Sequence, residues 1–191
     1  LVIITIFILA AIFADLIADF DTLVVAQNTA IRLQPPNAQH WFGTDGYGRD
    51  IFARVVHGAR VSLSIAFLTT AVSSLAGGLL GSAAGYYGGK VDNIIMRVID
   101  TIMCLPPMLF SLSIVAALGA GMRNLIIAVS VTMTPYFTRV VRASILTVVG
   151  SDYVEAARSC GAGDARIILR HIIPNAIGSV IVQATMSVSF M

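Results

Sequence analysis

The sequence predicts an all-α integral membrane protein with five transmembrane helices, and three observations carry that prediction. Of 191 residues, 57% are hydrophobic and 12% charged, whereas soluble domains carry about 25% charged residues. The mean hydropathy is +0.88. Apolar runs long enough to cross a bilayer recur along the chain, joined by short polar or glycine-rich segments. A net charge of +2 with dispersed arginines excludes nucleic acid as an expected partner and leaves membrane lipid as one. Cys104 lies in an apolar run and Cys160 in a polar segment, so no disulfide between them is expected.

Residues 1–20 read as a first, truncated span. Leu1 to about Ala18 is apolar and ends among Asp15, Asp19 and Asp21, which belong at the far membrane face. The charged stretch that opens a signal peptide is missing ahead of it. Residues 21–60 read as an extracytoplasmic loop followed by an interfacial helix. No period is sustained before Gly48, and Pro35-Pro36-Asn37 marks an extended loop. Asp50 is placed to cap a helix with Ile51, Phe52, Val55, Val56 and Ala59 on one side and Arg54, His57 and Arg60 off it. His40 and His57 stand seventeen residues apart with no ligand-like neighbour, so both are expected as interfacial histidines rather than metal ligands.

Residues 61–191 form the core. The second span, about Val61 to Ala84, carries Gly77, Gly81 and Gly85 along one face, a pattern that permits close helix packing in lipid. Tyr86 and Tyr87 follow at the interface. Gly88-Gly89-Lys90 is no phosphate loop, because Ala84 replaces the earlier glycine and Val91 the Ser or Thr. The third span, about Asp92 to Leu118, has Arg97 and Asp100 one turn apart, then Pro106-Pro107, which should kink it. These residues serve either a solute pathway and its gate or a plain anchor and packing role. After a turn at Gly119 to Asn124, a fourth span runs from about Leu125 to Val149, interrupted by Thr134-Pro135. It bears Arg139 and Arg142 on one face, as gating residues or as basic anchors. A fifth begins near Asn175 and reaches Met191.

Between the fourth and fifth spans lies a polar segment, Asp152 to Asn175, that reads as two short helices. Asp152 is placed to cap the first, Gly161 and Gly163 bracket a turn, Asp164 is placed to cap the second, and Pro174 to stop it. Glu155-Ala156-Ala157, three residues, Gly161, nine residues, then His171-Ile172-Ile173-Pro174 resembles the EAA loop of ABC importer permeases. The Gly43-Thr44-Asp45-x-x-Gly48-Arg49-Asp50 segment is similar to that of C-type subunits in the dipeptide, oligopeptide and nickel branch. Arg139-x-x-Arg142 also resembles the family pattern, with Thr138 where alanine is expected.

The resemblance implies a type I ABC importer permease fold of six spans, here with the sixth removed. It further implies a multi-pass protein of the prokaryotic inner membrane with a cytoplasmic coupling loop at 150–173. Tyr153, Glu155, Ala156, Ala157, Arg158, Gly161 and Pro174 would be the residues of this coupling motif, the two alanines as a flat face for the ATPase, Glu155 and Arg158 as polar contacts at its edge, and Gly161 allowing the turn. The excess of Lys90, Arg97, Arg139, Arg142, Arg158, Arg166 and Arg170 on that side agrees with a cytoplasmic loop. The implied partners are a second permease subunit in a heterodimer, two cytoplasmic ATPases and an extracytoplasmic substrate-binding protein. The chain would carry no cofactor or metal and perform no catalysis, with ATP and Mg held by the ATPases. Its cargo would be a peptide, nickel or a similar small solute. Two rivals stand beside this: an ion-coupled transporter or channel using Asp100 without an ATPase, and a membrane hydrolase, which lacks a Gly-x-Ser-x-Gly or His-Glu-x-x-His motif here.

Overall fold

A computed structural model describes residues 2–189, and its regular elements are helices, with no strand among the described residues. The chain divides into two units, Leu1–Ile65 and Ala66–Met191.

The first unit opens with α1 (Val2–Ile12) and α2 (Ala14–Ile17), separated at Phe13. At 11 residues α1 is well short of the ~20 a span needs. A π-helical turn, Phe20–Val25, and a 3₁₀ turn, Thr29–Ile31, follow. The loop beyond them is wound on itself rather than extended. Leu33 N–H donates to Asp45 O, Thr44 N–H to Gln34 O, and Gln34 N–H to the Thr44 hydroxyl oxygen, while that hydroxyl donates to Ile31 O.

The glycine-rich motif proves to be the knot of this loop. Gly43 and Gly48 adopt φ of +75° and +74°, and a Cβ on Gly48 would lie 1.7 Å from Asn28 O, so a side chain fits at neither. The Asp45 carboxylate accepts from the Tyr47 and Arg49 amides at 2.8 and 3.0 Å, from Arg49 Nε at 2.9 Å and from Arg54 Nη1 at 2.6 Å. Burial works against ionising Asp45, yet these donors hold its pKa down at about 2. Asp50 accepts from Ala53 N–H at 2.8 Å, capping α3 (Ile51–Tyr87) as expected, while its other oxygen meets His40 Nδ1 at 2.7 Å.

Helix α3 corrects one expectation. It is assigned as one helix of 37 residues, so no break in the helix separates the interfacial stretch from the second span. Only Gly58 weakens the stretch 51–61, and a single glycine does not stop a helix. His57 is buried within the first unit, with Nε2 at 2.9 Å from the Ala18 carbonyl and the Phe20 ring at 5.2 Å. Arg60 Nη1 donates to Asp15 at 2.8 Å.

In the second unit α4 (Gly89–Met103) and α5 (Pro107–Leu118) replace the single third span and meet at 89°. Pro106 and Pro107 break the helix instead of merely kinking it, because neither has an N–H and each pushes the preceding residue out of the helical region. α6 (Met122–Val148) continues through Pro135 without interruption. The neighbouring hydroxyls turn inward on their own helix, Thr134 donating to Ser130 O at 2.7 Å and Thr138 to Thr134 O at 2.9 Å. After α7 (Asp152–Ser159), α8 (Asp164–Ile167) and a π-helical turn (Ile168–Ile172), α9 (Ile173–Ser189) completes the described chain. Pro174 does not stop that helix. The π turn, with Ile173 N–H donating to Ile168 O, absorbs the missing amide, and Asn175 Nδ2 donates to His171 O at 2.6 Å. By length and composition α3 and α6 are able to cross a membrane, as are the bent pair α4 and α5 and the bent run from Asp164 to Val188 when each is counted as one span.

The glycine face does what its spacing predicts. A Cβ on Gly77 would lie 2.5 Å from Phe137 Cβ, one on Gly81 2.6 Å from Thr138 O, and one on Gly85 2.9 Å from Ile145 Cβ. α3 and α6 therefore touch backbone to backbone along three turns. Thr138, in place of the expected alanine, is fully buried in this seam with its hydroxyl spent on Thr134 O.

Candidate functional site: the elbow between α6 and α9

The elbow is built by one small apolar cluster. Val154 of α7, Ile167 of α8 and Ile172 of the π turn are buried against Val141 and Ile145 of α6, with Ala157 and Ala162 packed at the margin. Helices of eight and four residues are too short to persist alone, so this packing is what orders them. Gly161 makes the turn with φ +78°.

Two capping expectations fail. The N-cap residues are Ser151 and Gly163, without side-chain caps, and Asp152 and Asp164 sit in the first turns, where their charge favours the helix N-termini. Ser151 Oγ instead donates back to Val148 O at 2.6 Å. The freed Asp164 carboxylate accepts from Tyr86 Oη at 2.7 Å, and Arg158 lies over the Tyr86 ring at 5.5 Å.

The cluster leaves one face bare. Glu155, Ala156 and Arg158 are exposed, as is Tyr153, at 44%. Glu155, Arg158 and Ser159 line an open hollow with Val149 and Gly150. The two alanines do not form a common face, since they are 100° apart on the helix: Ala156 points out and Ala157 turns toward the core. Pro174 is exposed at the start of α9, outside this hollow.

The charged residues of the spans pair differently from their spacing. Arg97 and Asp100 form no pair; Arg97 is exposed and makes no ion pair among the described residues. Asp100 accepts from Arg139 Nη2 at 2.5 Å. Arg142 takes Asp92 in a two-point grip, Nε and Nη2 at 2.5 and 2.6 Å from the two oxygens. Arg139 and Arg142 of α6 thus both reach carboxylates on the facing helix α4. Pro107 lines a small crevice with Phe110, Thr132 and Tyr136, and Pro106 is the N-cap residue of α5. Asp92, Tyr86 and Asp164 were not singled out from the sequence as partners. An acidic residue at the foot of an apolar helix was a usable signal for Asp92, because such a charge needs a partner in the membrane.

Among the described residues no three His, Cys, Asp or Glu side chains gather to hold a metal ion.

The sequence pattern of the family described as "Binding-protein-dependent transport system inner membrane component" matches residues 77–191, more than half the chain. The dipeptide transport system permease protein DppC of Alkalihalophilus pseudofirmus is 42% identical over 97% of this chain and 60% of its own. The oligopeptide transport system permease protein OppC of Bacillus subtilis is 37% identical over 98% of this chain and 61% of its own. The glutathione transport system permease protein GsiD of Pectobacterium atrosepticum is 40% identical over 80% and 51%. The chain thus spans about half to three-fifths of the length of these relatives. A crystal structure of an amino acid ABC transporter with histidines is 22% identical, with a TM-score of 0.47 over 68% of this chain and 67% of that one. With residues 77–191, glycine seam and elbow included, matching that pattern, this chain belongs to the family of inner membrane components of binding-protein-dependent transport systems.

Proposed function

We propose that this chain is a permease subunit of an ATP-driven importer for peptides, and that its elbow is the cytoplasmic docking point for a partner ATPase. The observation that carries the proposal is the asymmetry of α7. Its inner side is fixed through Val154, while Tyr153, Glu155, Ala156 and Arg158 stand bare beside an open hollow. A face so held and so uncovered suits a separate protein that pushes on it. A second permease would complete the solute path, an extracytoplasmic binding protein would deliver the solute, and the ATPases would supply ATP and Mg. Peptide cargo rests on the names of the relatives, which carry dipeptide, oligopeptide and glutathione; nickel has no such support among them. Coupling requires only that the elbow's contacts differ in energy between the two ATPase states. Asp100, the carboxylate an ion-coupled carrier would use, is engaged by Arg139.

The test is co-purification of the ATPases with Glu155→Lys and Gly161→Trp variants, followed by uptake of labelled dialanine into vesicles. Both variants should insert normally yet retain ATPase at least tenfold more weakly. Wild-type ATPase retention and ATP-dependent uptake in both would remove the elbow from this role.

A further inference from the structure

We infer that Tyr86 is a positioning residue that ties both arms of the elbow to the C-terminal end of α3, so that α3 and the elbow move as one body. This rests on the docking role proposed above and names a further helix through which the push travels.

Tyr86 touches each arm. Its hydroxyl donates to Asp164 in the first turn of α8 at 2.7 Å, and its ring lies beneath the Arg158 guanidinium of α7 at 5.5 Å. The same ring packs against the Val141, Ile145, Val154, Ile167 and Ile172 cluster, and the Tyr87 ring meets it edge-on at 5.1 Å. Three kinds of contact therefore converge on one side chain, 78 residues from Asp164 in sequence. The residue before it, Gly85, is the last position of the seam against Ile145. Along the chain the elbow is continuous only with α6 and α9. Through Tyr86 a force on α7 also reaches α3, which the seam already binds to α6.

Tyr86→Phe isolates the hydroxyl, because the ring keeps its packing and its place under Arg158. Losing a hydrogen bond to a charged partner should shift the balance between tied and untied elbow by roughly tenfold.

The experiment places spin labels at Leu79→Cys in α3 and at native Cys160, both positions exposed, with Cys104→Ser and the remaining cysteines of the complex replaced. Distances are measured in the full transporter without nucleotide and trapped with ATP and vanadate, and also in the permease chain alone. In the parent protein one narrow distance should persist in all three. In Tyr86→Phe a second, longer distance should appear, and adding Asp164→Ala to it should change nothing more. Asp164→Asn, which keeps an acceptor, should stay closer to the parent. A parent distance that shifts on trapping, or a Tyr86→Phe profile identical to the parent, would overturn the inference. Failure of the ATPases to dock would instead strike the docking role, since the chain alone still reports on the tie.

Discussion

Replacing Gly81 with alanine adds one methyl group to the α3 and α6 seam, and the structure gives the size of the intrusion. The new Cβ would stand 2.6 Å from Thr138 O and 2.8 Å from Val141 Cβ, where ordinary contact begins at 3.4 Å, so α6 must withdraw by up to about 0.8 Å. A gap of 0.5–1 Å forfeits about a quarter to a half of the dispersion energy of the atoms it separates, and Gly77 and Gly85 depend on the same approach. Overpacking of this kind costs about 1–3 kcal/mol. Against it, alanine gains about 1 kcal/mol of helix propensity over glycine. Gly78 supplies the control, for its Cβ would meet nothing within 4 Å. Gly78→Ala should therefore hold or raise stability while Gly81→Ala lowers it, the two differing by about 2 kcal/mol. Unfolding of the purified chain in mixed micelles by rising SDS fraction, followed by circular dichroism, measures the difference. Equal midpoints for the two variants would refute the close-contact account of the seam.

Two other outcomes follow from the charged groups. In a double-mutant cycle, Asp92→Ala and Arg142→Ala should show a coupling of about 1–2 kcal/mol, since the pair is two-pointed and partly buried, whereas Asp100→Ala with Arg139→Ala, about half exposed, should couple by less than about 1 kcal/mol; a larger coupling for the second pair would reverse the assignment. Asp45 titrates lower when folded, at about 2 against 3.8, so its contribution is fully present above pH 4 and fades as pH falls toward 2. Fluorescence of Trp41, the single tryptophan, whose ring lies 5.0 Å from Phe52, reads the order of that loop. Asp45→Asn should abolish the acid transition in this window, and an unchanged acid midpoint would show that other groups set it.

The helical class, the glycine seam, the turn at Gly161 and the Asp50 cap were legible because each is a local or periodic property of the sequence. Partnerships across helices were not. Arg97 and Asp100 satisfy the spacing rule for a pair, yet Asp100 turns to Arg139 on a facing helix, a choice that only packing decides. Asp152 and Asp164 stood one position inside the helices they were expected to cap, an error of a single residue at boundaries that fray. Pro174 was read from propensity alone, and the π turn together with the Asn175 side chain overrides that preference. The Gly43 to Asp50 motif was recognised by its order, but its work as a loop knot emerged only from the folded positions of Asp45, Gly48 and Asp50.

The hydroxyls along the touching faces of α3 and α6 have a bearing on where a solute can travel. Ser73 gives its proton to Thr69 O and reaches Ser130 O, while Thr134 and Thr138 give theirs to carbonyls one turn back. A hydrophilic cargo shedding its hydration would find those donors already committed and no space between the rods. If the chain carries solute as proposed, that stripe, polar on paper, would be a closed wall, and a path would run along other surfaces of the bundle.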